Sequence, residues 1–370
     1  NLDIGGKVMS ANWGKNITVS IFGESHGVAL GINIGGLPSG FSVDLEKIKK
    51  DMARRAPGQS ELTTSRKEPD EFEILSGFFE GKTTGSPLAI IIRNTNQRSK
   101  DYSVLKDVLR PGHADYSGKM RYSDNNDYRG SGHFSGRITA PLVFAGSLAK
   151  QLLESKGIFI GTHIKSIGNI EGRGLTLKEI NNDLLKNLQD MDFPTLKDNN
   201  SELMKNAIVE AKSMEDSIGG VIEVAVNGVK AGIGNPFFDS IESRLSSMMF
   251  SVPAVKGIEF GVGFDIAKML GSEANDEIYL ENGEIKTETN NNGGIIGGIS
   301  TGMPIVFRLA IKPPASIGKE QKTVNFATKE ETKLKVEGRH DPCIVPRAMV
   351  VVEAAVALTI LDFLMEKKEL

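Results

Sequence analysis

Short apolar runs bounded by glycine, proline or polar residues divide this chain into many modest elements. Positions 19–22 and 29–34 are β-branched or apolar and flank Gly23–Gly27, which predicts a strand, a loop and a second strand. Further strands are predicted at 88–92, 221–226 and 303–311.

The longer segments repeat their apolar residues at helical spacing. Asp44 can cap a helix that runs to about Arg55 and stops at Pro57-Gly58. The segment Arg137–Lys156 predicts a long helix that ends at Gly157. Further helices are predicted at 176–191 with Thr176 as the cap, at 202–217 closed by Gly219-Gly220, at 238–251, and at 346–366 with Pro346 in the first turn.

Strands and helices interleave, but without the regular order of a barrel or a doubly wound sheet, and no repeat of fixed period is present. This organisation favours one large α/β domain over two. Residues 1–8 precede Met9 and are interpreted as a cloning remnant, so the expected domain spans 9–370.

Composition limits the classes of partner. Of the 370 residues, 39% are hydrophobic and 25% are charged, and the net charge is −3. No global basic field attracts nucleic acid or a membrane surface, so an anionic substrate would need a local cluster of cations. The single cysteine, Cys343, excludes an internal disulfide. We see no signal peptide and no apolar run of the roughly 18 residues that a membrane span needs, so a cytoplasmic protein is expected.

The loop Gly23–Gly27 reads Gly-Glu-Ser-His-Gly. Glycines allow the backbone to approach a ligand, and a histidine such as His26 can exchange protons near neutral pH. A functional loop and a simple turn with a solvent-facing histidine both fit this pattern.

A second segment, 110–115, reads Arg-Pro-Gly-His-Ala-Asp and includes Arg110 and His113. Downstream arginines could form a fork for phosphate or carboxylate, although a solvated charged loop is the common alternative. Arg137 opens the predicted long helix, where backbone amides favour anions. The other polar residues of this stretch are Arg121, Arg129, His133 and Ser135.

A third segment, 338–343, reads Gly-Arg-His-Asp-Pro-Cys and is followed by Arg347 at a predicted helix start. Asp341 beside Arg339 would stay ionised, and so could accept a proton or orient a histidine. Cys343 is expected to pack as a small apolar group.

Several other chemistries are not supported. Ser25 and His26 are adjacent and cannot by themselves form the nucleophile–base pair of a hydrolase. The histidines and the cysteine lack zinc spacing, so no metal is expected. The glycine-rich stretch 293–302 lacks the pattern of a P-loop or dinucleotide fingerprint, and fits either a close approach to a ligand or a tight structural crossing. His163 has no obvious partner and is interpreted as structural.

Taken together, these segments resemble the chorismate synthase family along nearly the whole chain. The matching motifs are 22–27, 54–58, 63–70, 74–81, 96–102, 110–116, 127–130, 216–219, 253–257, 293–302 and 338–343.

The resemblance implies a fold and a reaction. The fold is a single large α/β domain with antiparallel sheets among helices, assembled as a homotetramer. In the reaction, 5-enolpyruvylshikimate-3-phosphate loses phosphate and a ring proton by anti 1,4-elimination and becomes chorismate. Reduced FMN is required without net oxidation, with NADPH as a candidate reductant and a separate flavin reductase as the alternative.

The resemblance also implies roles for individual residues. His26 would protonate the departing phosphate and His113 the reduced flavin, with Ser25 and Ser135 as supporting serines. Asp341 would assist proton removal at the flavin N5. FMN contacts are implied for Ser135, Pro253, Ala254, Gly293, Lys312, Pro313, Pro314, Ala315, Ser316 and Arg339. The substrate carries a phosphate and two carboxylates, and the candidate arginines are Arg55, Arg110, Arg137, Arg339 and Arg347, with Arg55 also in the NADPH region.

The chain departs from the family pattern in two places. Residues 133–139 read His-Phe-Ser-Gly-Arg-Ile-Thr where Arg-Ser-Ser-Ala-Arg-Glu-Thr is common, and Ala56 and Glu61 replace arginines. Two rival functions stay open: another flavin enzyme such as an NADPH-dependent flavin reductase, and a non-catalytic module that binds a phosphorylated ligand. The presence of both His26 and His113 argues against the second, because binding alone needs cations and not two proton donors.

Overall fold

The computed structural model describes residues 11–58, 70–95, 104–197, 200–336, 338 and 340–368. They form two compact units. The first consists of the described residues of Asn1–Ala145, Ala211–Ser217 and Pro314–Pro342, and the second of those of Gly146–Glu210, Ile218–Pro313 and Cys343–Leu370. Residues 1–8, which were interpreted as a cloning remnant, lie outside the described residues. The domain limits 9–370 stay a prediction.

The strands of the described residues are β1 Asn12–Trp13, β2 Thr18–Gly23, β3 Ala29–Gly35, β4 Phe72–Ser76, β5 Phe78–Phe79, β6 Lys82–Thr83, β7 Leu88–Arg93, β8 Phe159–Ile167, β9 Ile170–Glu171, β10 Gly220–Asn227, β11 Val255–Phe260, β12 Ile278–Glu281, β13 Glu284–Thr287, β14 Ile295–Ile296, β15 Ile299–Ser300, β16 Ile305–Ile311, β17 Gln321–Asn325 and β18 Glu330–Leu334. The α-helices are α1 Leu45–Arg55, α2 Asp115–Tyr122, α3 Thr139–Glu154, α4 Asn182–Gln189, α5 Ser201–Ser213, α6 Ile241–Ser251, α7 Gly271–Ala274 and α8 Val345–Glu366.

The first unit contains an antiparallel sheet in the order β1-β2-β3-β7-β4. Alternate residues of β7 are buried, and in register Ile90 lies opposite Ile32 of β3 and Ile92 opposite Leu30. This alternation places one face of the sheet in the core. Asp44 caps α1 as predicted, because its Oδ1 accepts hydrogen bonds from the backbone N–H groups of the first turn.

A separate hairpin, β17–β18, also belongs to the first unit. Asn325 forms a β-bridge with Val108, and the backbone N–H of Leu109 donates to the carbonyl of Val324 at 3.3 Å. The hairpin therefore holds the stretch of chain that leads directly into Arg110.

The second unit contains an antiparallel sheet in the order β11-β16-β10-β8-β9, with α8 packed on β8 and β10. His163 of β8 lies opposite Glu223 of β10, and its Nε2 is 2.8 Å from Glu223 Oε2. The sequence showed no obvious partner for His163, because this partner lies on a strand 60 residues away in sequence. The mixed α/β class with antiparallel sheets is confirmed.

Helix α8 is long and apolar enough by length and composition to cross a membrane, although Glu353 and Asp362 interrupt its apolar run. It has 22 residues, and its most apolar window has a mean hydropathy of 2.2, but 94% of that window is buried within the protein. Its Glu353 accepts hydrogen bonds from Lys150 Nζ at 3.0 Å and Thr162 Oγ1 at 2.6 Å. A buried charge held in this way is typical of a core helix in a folded unit.

Two predicted helix boundaries are wrong. Thr176 does not cap α4, because α4 starts only at Asn182 and Thr176 lies in a separate turn. In that turn the backbone N–H of Glu179 donates to the carbonyl of Thr176 at 3.1 Å, and the backbone N–H of Thr176 donates to Glu179 Oε1 at 2.9 Å. The actual cap is Asn181, whose Oδ1 accepts from the backbone N–H of Leu184 at 2.9 Å. Helix α5 ends at Ser213, ahead of the glycines that were expected to close it.

Candidate functional site

The loop Gly23–Gly27, which we call the histidine loop, joins β2 to β3 in the first unit. The backbone N–H of Ser25 donates to the carbonyl of Gly132 at 3.1 Å. Ser25 is 5% exposed and His26 is 3% exposed. The alternative of a turn with a solvent-facing histidine is therefore wrong.

His26 packs against an unusual stretch of backbone, Gly130–Gly132, which we call the left-handed segment. Its three residues have φ values of +55°, +72° and +52°. A Cβ at Gly130 would lie 1.9 Å from His26 Nδ1 and 2.9 Å from Ser25 Oγ. Only glycine fits, both because of the positive φ and because the backbone touches the imidazole.

Three buried charged residues, Arg55, Asp70 and Arg137, form what we call the arginine cluster. Asp70 accepts from Arg55 Nε at 2.6 Å and from Arg137 Nη1 at 2.9 Å. The side chains of Arg55, Asp70 and Arg137 are 3%, 1% and 8% exposed. Two guanidinium groups thus share one carboxylate, which gives these three residues an excess of positive charge suited to an anion.

Asn94 connects this cluster to the histidine loop. Its Oδ1 accepts from Arg137 Nε at 2.8 Å. Its Nδ2 donates to the carbonyl oxygens of Glu24 at 3.0 Å and Gly27 at 2.9 Å, on either side of His26. The loop and the arginine cluster are therefore one hydrogen-bonded network.

His113 is held by a second charged group. Asp115 accepts from Arg110 through both oxygens, Oδ2 from Nε at 2.8 Å and Oδ1 from Nη2 at 2.7 Å. The same Oδ1 is 2.8 Å from His113 Nδ1. A carboxylate at Nδ1 fixes the ring and directs Nε2 away from this group, as in catalytic histidines oriented by a neighbouring acid.

The charge of Asp115 is strongly favoured. Burial acts to raise the pKa of this carboxyl, but the hydrogen bonds from Arg110 and His113 act in the opposite direction and prevail. The net pKa of Asp115 lies well below its usual range. Asp115 is therefore an acceptor at any physiological pH.

The left-handed segment joins the two histidines. Ser131 Oγ accepts from Arg110 Nη2 at 2.9 Å, and Arg110 Nη2 is 3.2 Å from His113 Nδ1. The preceding residue, Gly130, touches His26. The sequence-predicted segments 23–27 and 110–137 thus converge in the first unit.

Two further polar residues lie at this junction. His133 Nδ1 is 2.9 Å from the carbonyl oxygen of Gly23, so the ring donates to the histidine loop. The pKa of Asp127 is lowered mainly by the hydrogen bond from Arg129, against the effect of burial, and to a smaller extent by the charge of His26.

The described residues 338 and 340–342 of the third predicted segment belong to the same unit, whereas Cys343 belongs to the second unit. His340 Nε2 is 3.0 Å from the carbonyl of Val336, which clusters with Leu105 and Leu334. Asp341 follows and is half-buried. Arg339 lies outside the described residues.

Comparison with known proteins identifies the family of this chain. The chorismate synthase family profile matches residues 17–365. The chorismate synthase of Thermococcus kodakarensis is 44% identical over 356 residues, covering 96% of this chain and 98% of the relative. That of Methanocaldococcus jannaschii is 45% identical over 365 residues, covering 96% of each. The chain belongs to the chorismate synthase family.

A solved chorismate synthase crystal structure has a TM-score of 0.73 and 31% identity to this chain, covering 96% of this chain and 93% of the other. The expectation of a chorismate synthase fold is therefore confirmed. The family consists of enzymes, so the chain is assigned as an enzyme of this family.

Several residues for which the family resemblance implies FMN contacts lie in the second unit. The carbonyl of Ala254 accepts from the backbone N–H of Lys312 at 2.9 Å, which brings Pro253-Ala254 beside Lys312-Pro313. A Cβ at Gly293 would lie 2.5 Å from the backbone nitrogen of Gly261. Gly293 therefore makes a tight structural crossing, one of the two alternatives for this stretch.

The other described residues with implied FMN contacts belong to the first unit; they are Ser135, Pro314, Ala315 and Ser316. Arg110 Nη1 lies 3.5 Å from Ser316 Oγ, and the carbonyl of Pro314 accepts from Ser217 Oγ at 2.7 Å, with Ala315 between them. Ser135 Oγ accepts from the backbone N–H of Arg137 at 3.3 Å and so caps the turn ahead of α3. Helix α3 starts at Thr139 and not at Arg137, which lies in a preceding 3₁₀ turn.

Arg347 is half-buried in the first turn of α8, in the second unit.

Three residues that depart from the family pattern pack inside the protein. Phe134 packs against Tyr122 with ring centroids 6.2 Å apart, and Ile138 is buried. Ala56 is also buried, whereas Glu61 lies outside the described residues.

Sequence reasoning did not single out Asp70, Asn94, Ser131 or Gly130. Two signals were available: Asn94 is a polar residue directly after the buried strand β7, and Asp115 stands two residues after His113. Asp70 ends a family motif at 63–70, of which residues 63–69 lie outside the described residues, as does the motif at 96–102.

Proposed function

We propose that this chain converts 5-enolpyruvylshikimate-3-phosphate to chorismate and phosphate by anti 1,4-elimination, with reduced FMN and no net redox change. Such an enzyme is a carbon–oxygen lyase acting on a phosphate ester. Family membership supports the proposal.

One observation carries the proposal beyond family membership. A buried histidine, His26, and a second histidine with a carboxylate partner, His113, are joined through the left-handed segment, and the arginine cluster is bonded to the same loop as His26. Elimination of phosphate needs cations for the anionic substrate and a proton donor for the leaving group, and this arrangement provides both.

His26 would donate a proton to the departing phosphate. It is 3% exposed, so the transfer takes place out of bulk water, where the proton and the phosphate charge interact strongly. Ser25 supports the loop, and Arg55 and Arg137 would bind the phosphate or a carboxylate. Arg110 donates to Asp115, which in turn holds His113. Arg110 would therefore bind the substrate and also keep His113 in position.

The residues fit reduced FMN in the first unit. Asp115 holds His113 at Nδ1, so Nε2 would donate to an acceptor on the flavin ring. The hydroxyl of Ser316, another implied FMN contact, lies 3.5 Å from Arg110 Nη1. When bound, FMN supplies electron density to the substrate transiently and accepts the ring proton. Asp341 would assist that proton removal, and Ser135 would support His113.

Further contacts are proposed from the family resemblance alone. For FMN they are Pro253, Ala254, Gly293, Lys312, Pro313, Pro314, Ala315 and Arg339. For the substrate they are Arg339 and Arg347. NADPH is a candidate reductant with Arg55 in its region, and a separate flavin reductase is the other source of reduced FMN.

Anaerobic turnover tests the proposal. The protein is mixed with photoreduced FMN and the phosphate ester, and phosphate and chorismate are measured, with a parallel sample that has NADPH as sole reductant. Release of both products in equal amounts supports the lyase. Flavin reduction by NADPH without phosphate release identifies a flavin reductase instead.

We also propose a homotetramer in the cytoplasm. Large apolar side chains are exposed in the second unit, including Phe237 at 84%, Phe238 at 96% and Phe264 at 83%. Exposed aromatic residues of this kind are typical of subunit contacts. Light scattering coupled to size-exclusion chromatography measures the assembly, and a monomer would contradict it.

A further inference from the structure

Asn94 uses its side-chain amide both as a double donor and as an acceptor. The two Nδ2 hydrogens go to the carbonyls of Glu24 and Gly27, and Oδ1 accepts from Arg137 Nε. A side-chain amide is the group that can donate twice and accept at the same time. Aspartate has the same shape but cannot donate to the two carbonyls.

We propose that Asn94 is a positioning residue that couples the arginine cluster to the histidine loop, so that an anion bound by Arg137 and the proton donor His26 keep a fixed relative position. The inference rests on the proposed function, since it assigns Asn94 a part in the same reaction. Asn94 does not touch the reacting atoms and acts through Arg137 and the loop.

The side chain of Asn94 is not needed to end strand β7. Its backbone N–H donates to the carbonyl of Val28 at 3.2 Å and so continues the pairing of β7 with β3 by itself. The side-chain bonds are additional, and they reach the two residues that flank Ser25 and His26. A role limited to strand pairing would therefore leave the loop unaffected when the side chain changes.

The chain offers a matched control at Asn125. Its Nδ2 also donates to two backbone carbonyls, those of Tyr122 at 3.1 Å and Ser123 at 2.9 Å, but in an exposed loop. Asn125→Asp removes the same two donors and adds the same charge as Asn94→Asp. A comparison of the two variants separates the chemistry of the substitution from its location.

The experiment measures kcat and KM of the full-length protein with reduced FMN, together with hydrogen–deuterium exchange of peptides that cover the histidine loop. Asn94→Asp is expected to lower kcat by about 10- to 100-fold, because a small displacement of a proton donor has effects of that size. Exchange in the loop should become faster. Asn94→Leu also removes the acceptor for Arg137 and should in addition raise KM about tenfold. Asn125→Asp should change neither quantity.

The proposal is overturned if Asn94→Asp keeps normal kcat, if loop exchange is unchanged, or if Asn125→Asp loses as much activity. A lower melting temperature with normal kcat also overturns it, because that result indicates a structural role alone. If the wild type shows no turnover, the proposed function fails. In that case hydrogen–deuterium exchange of the histidine loop tests the positioning role by itself. Unchanged exchange in Asn94→Asp overturns this role, whereas faster exchange shows that Asn94 holds the loop.

Discussion

Gly130 and His26 are in direct contact, since a Cβ on Gly130 would lie 1.9 Å from the imidazole Nδ1. We predict that Gly130→Ala moves the ring and lowers kcat by about 10²-fold, a size typical of a misplaced catalytic group. Steady-state kinetics measure this effect. Gly136→Ala is the matched control, because a Cβ there meets nothing within 4 Å. Equal activity of the two variants would contradict the contact.

The two histidines should be needed for turnover and not for binding. His26→Ala and His113→Ala are each expected to reduce kcat by about 10²–10⁴-fold, the range for general acid–base groups. Calorimetric binding of the phosphate ester should change far less, because the cations that bind it are retained. Near-normal turnover in both variants would refute the roles proposed for them.

Arg137 should matter for substrate affinity. Arg137→Ala removes a buried cation that shares Asp70 with Arg55, and KM is expected to rise about 10- to 100-fold, as for other hydrogen bonds to charged groups. Arg173→Ala is the control, because Arg173 pairs with Glu179 at 2.7 Å and is 44% exposed. Equal effects of the two substitutions on KM would argue against an anion site at the arginine cluster.

Asp115 should make stability depend on pH. Its pKa is lower in the folded protein than in the unfolded chain, so its stabilising contribution is full above the unfolded pKa of about 4 and is lost as the pH falls below that value. At pH 7, Asp115→Asn should lower the free energy of unfolding by about 3 kcal/mol, as expected when a buried pair loses one partner. Urea unfolding at pH 7 and near pH 3 measures the difference between the wild type and the variant, which should shrink in acid. A difference that is independent of pH would show that the charge of Asp115 is not the cause.

Patterns of neighbouring residues were sufficient to predict those elements whose stabilising contacts are made within a few residues of each other. Asp44 caps α1 because its side chain reaches backbone N–H groups two and three residues away. The strands β3 and β7 follow from apolar runs between turn residues, and Pro346 lies in the first turn of α8 as predicted. Thr176 was wrongly predicted as the cap of α4, because Thr176 and Glu179 close a turn of their own and the helix begins after Asn181. Both threonine and asparagine are common caps, so residue type alone does not decide between them.

Patterns of neighbouring residues could not predict which side chains pair when they are far apart in the sequence. Arg137 and Asp70 are 67 residues apart in sequence, and His163 and Glu223 are 60 apart. Asp70 and Asn94 have no spacing that marks them as partners of Arg137, and Gly130 has no feature that marks it as the neighbour of His26. These relationships depend on the register of the sheet and on the left-handed segment.

The sequence by itself determined which chemical groups are present, which elements carry them, and the family to which the chain belongs. Composition, motif order and hydrophobic period depend only on neighbours along the chain. The tertiary structure alone decided that Arg55 and Arg137 share one carboxylate, that Asp115 holds His113, and that Asn94 joins the histidine loop to the arginines. Hydrogen bonds form over about 3 Å in space whatever the separation in sequence, so only the folded arrangement of the strands and loops selects these partners.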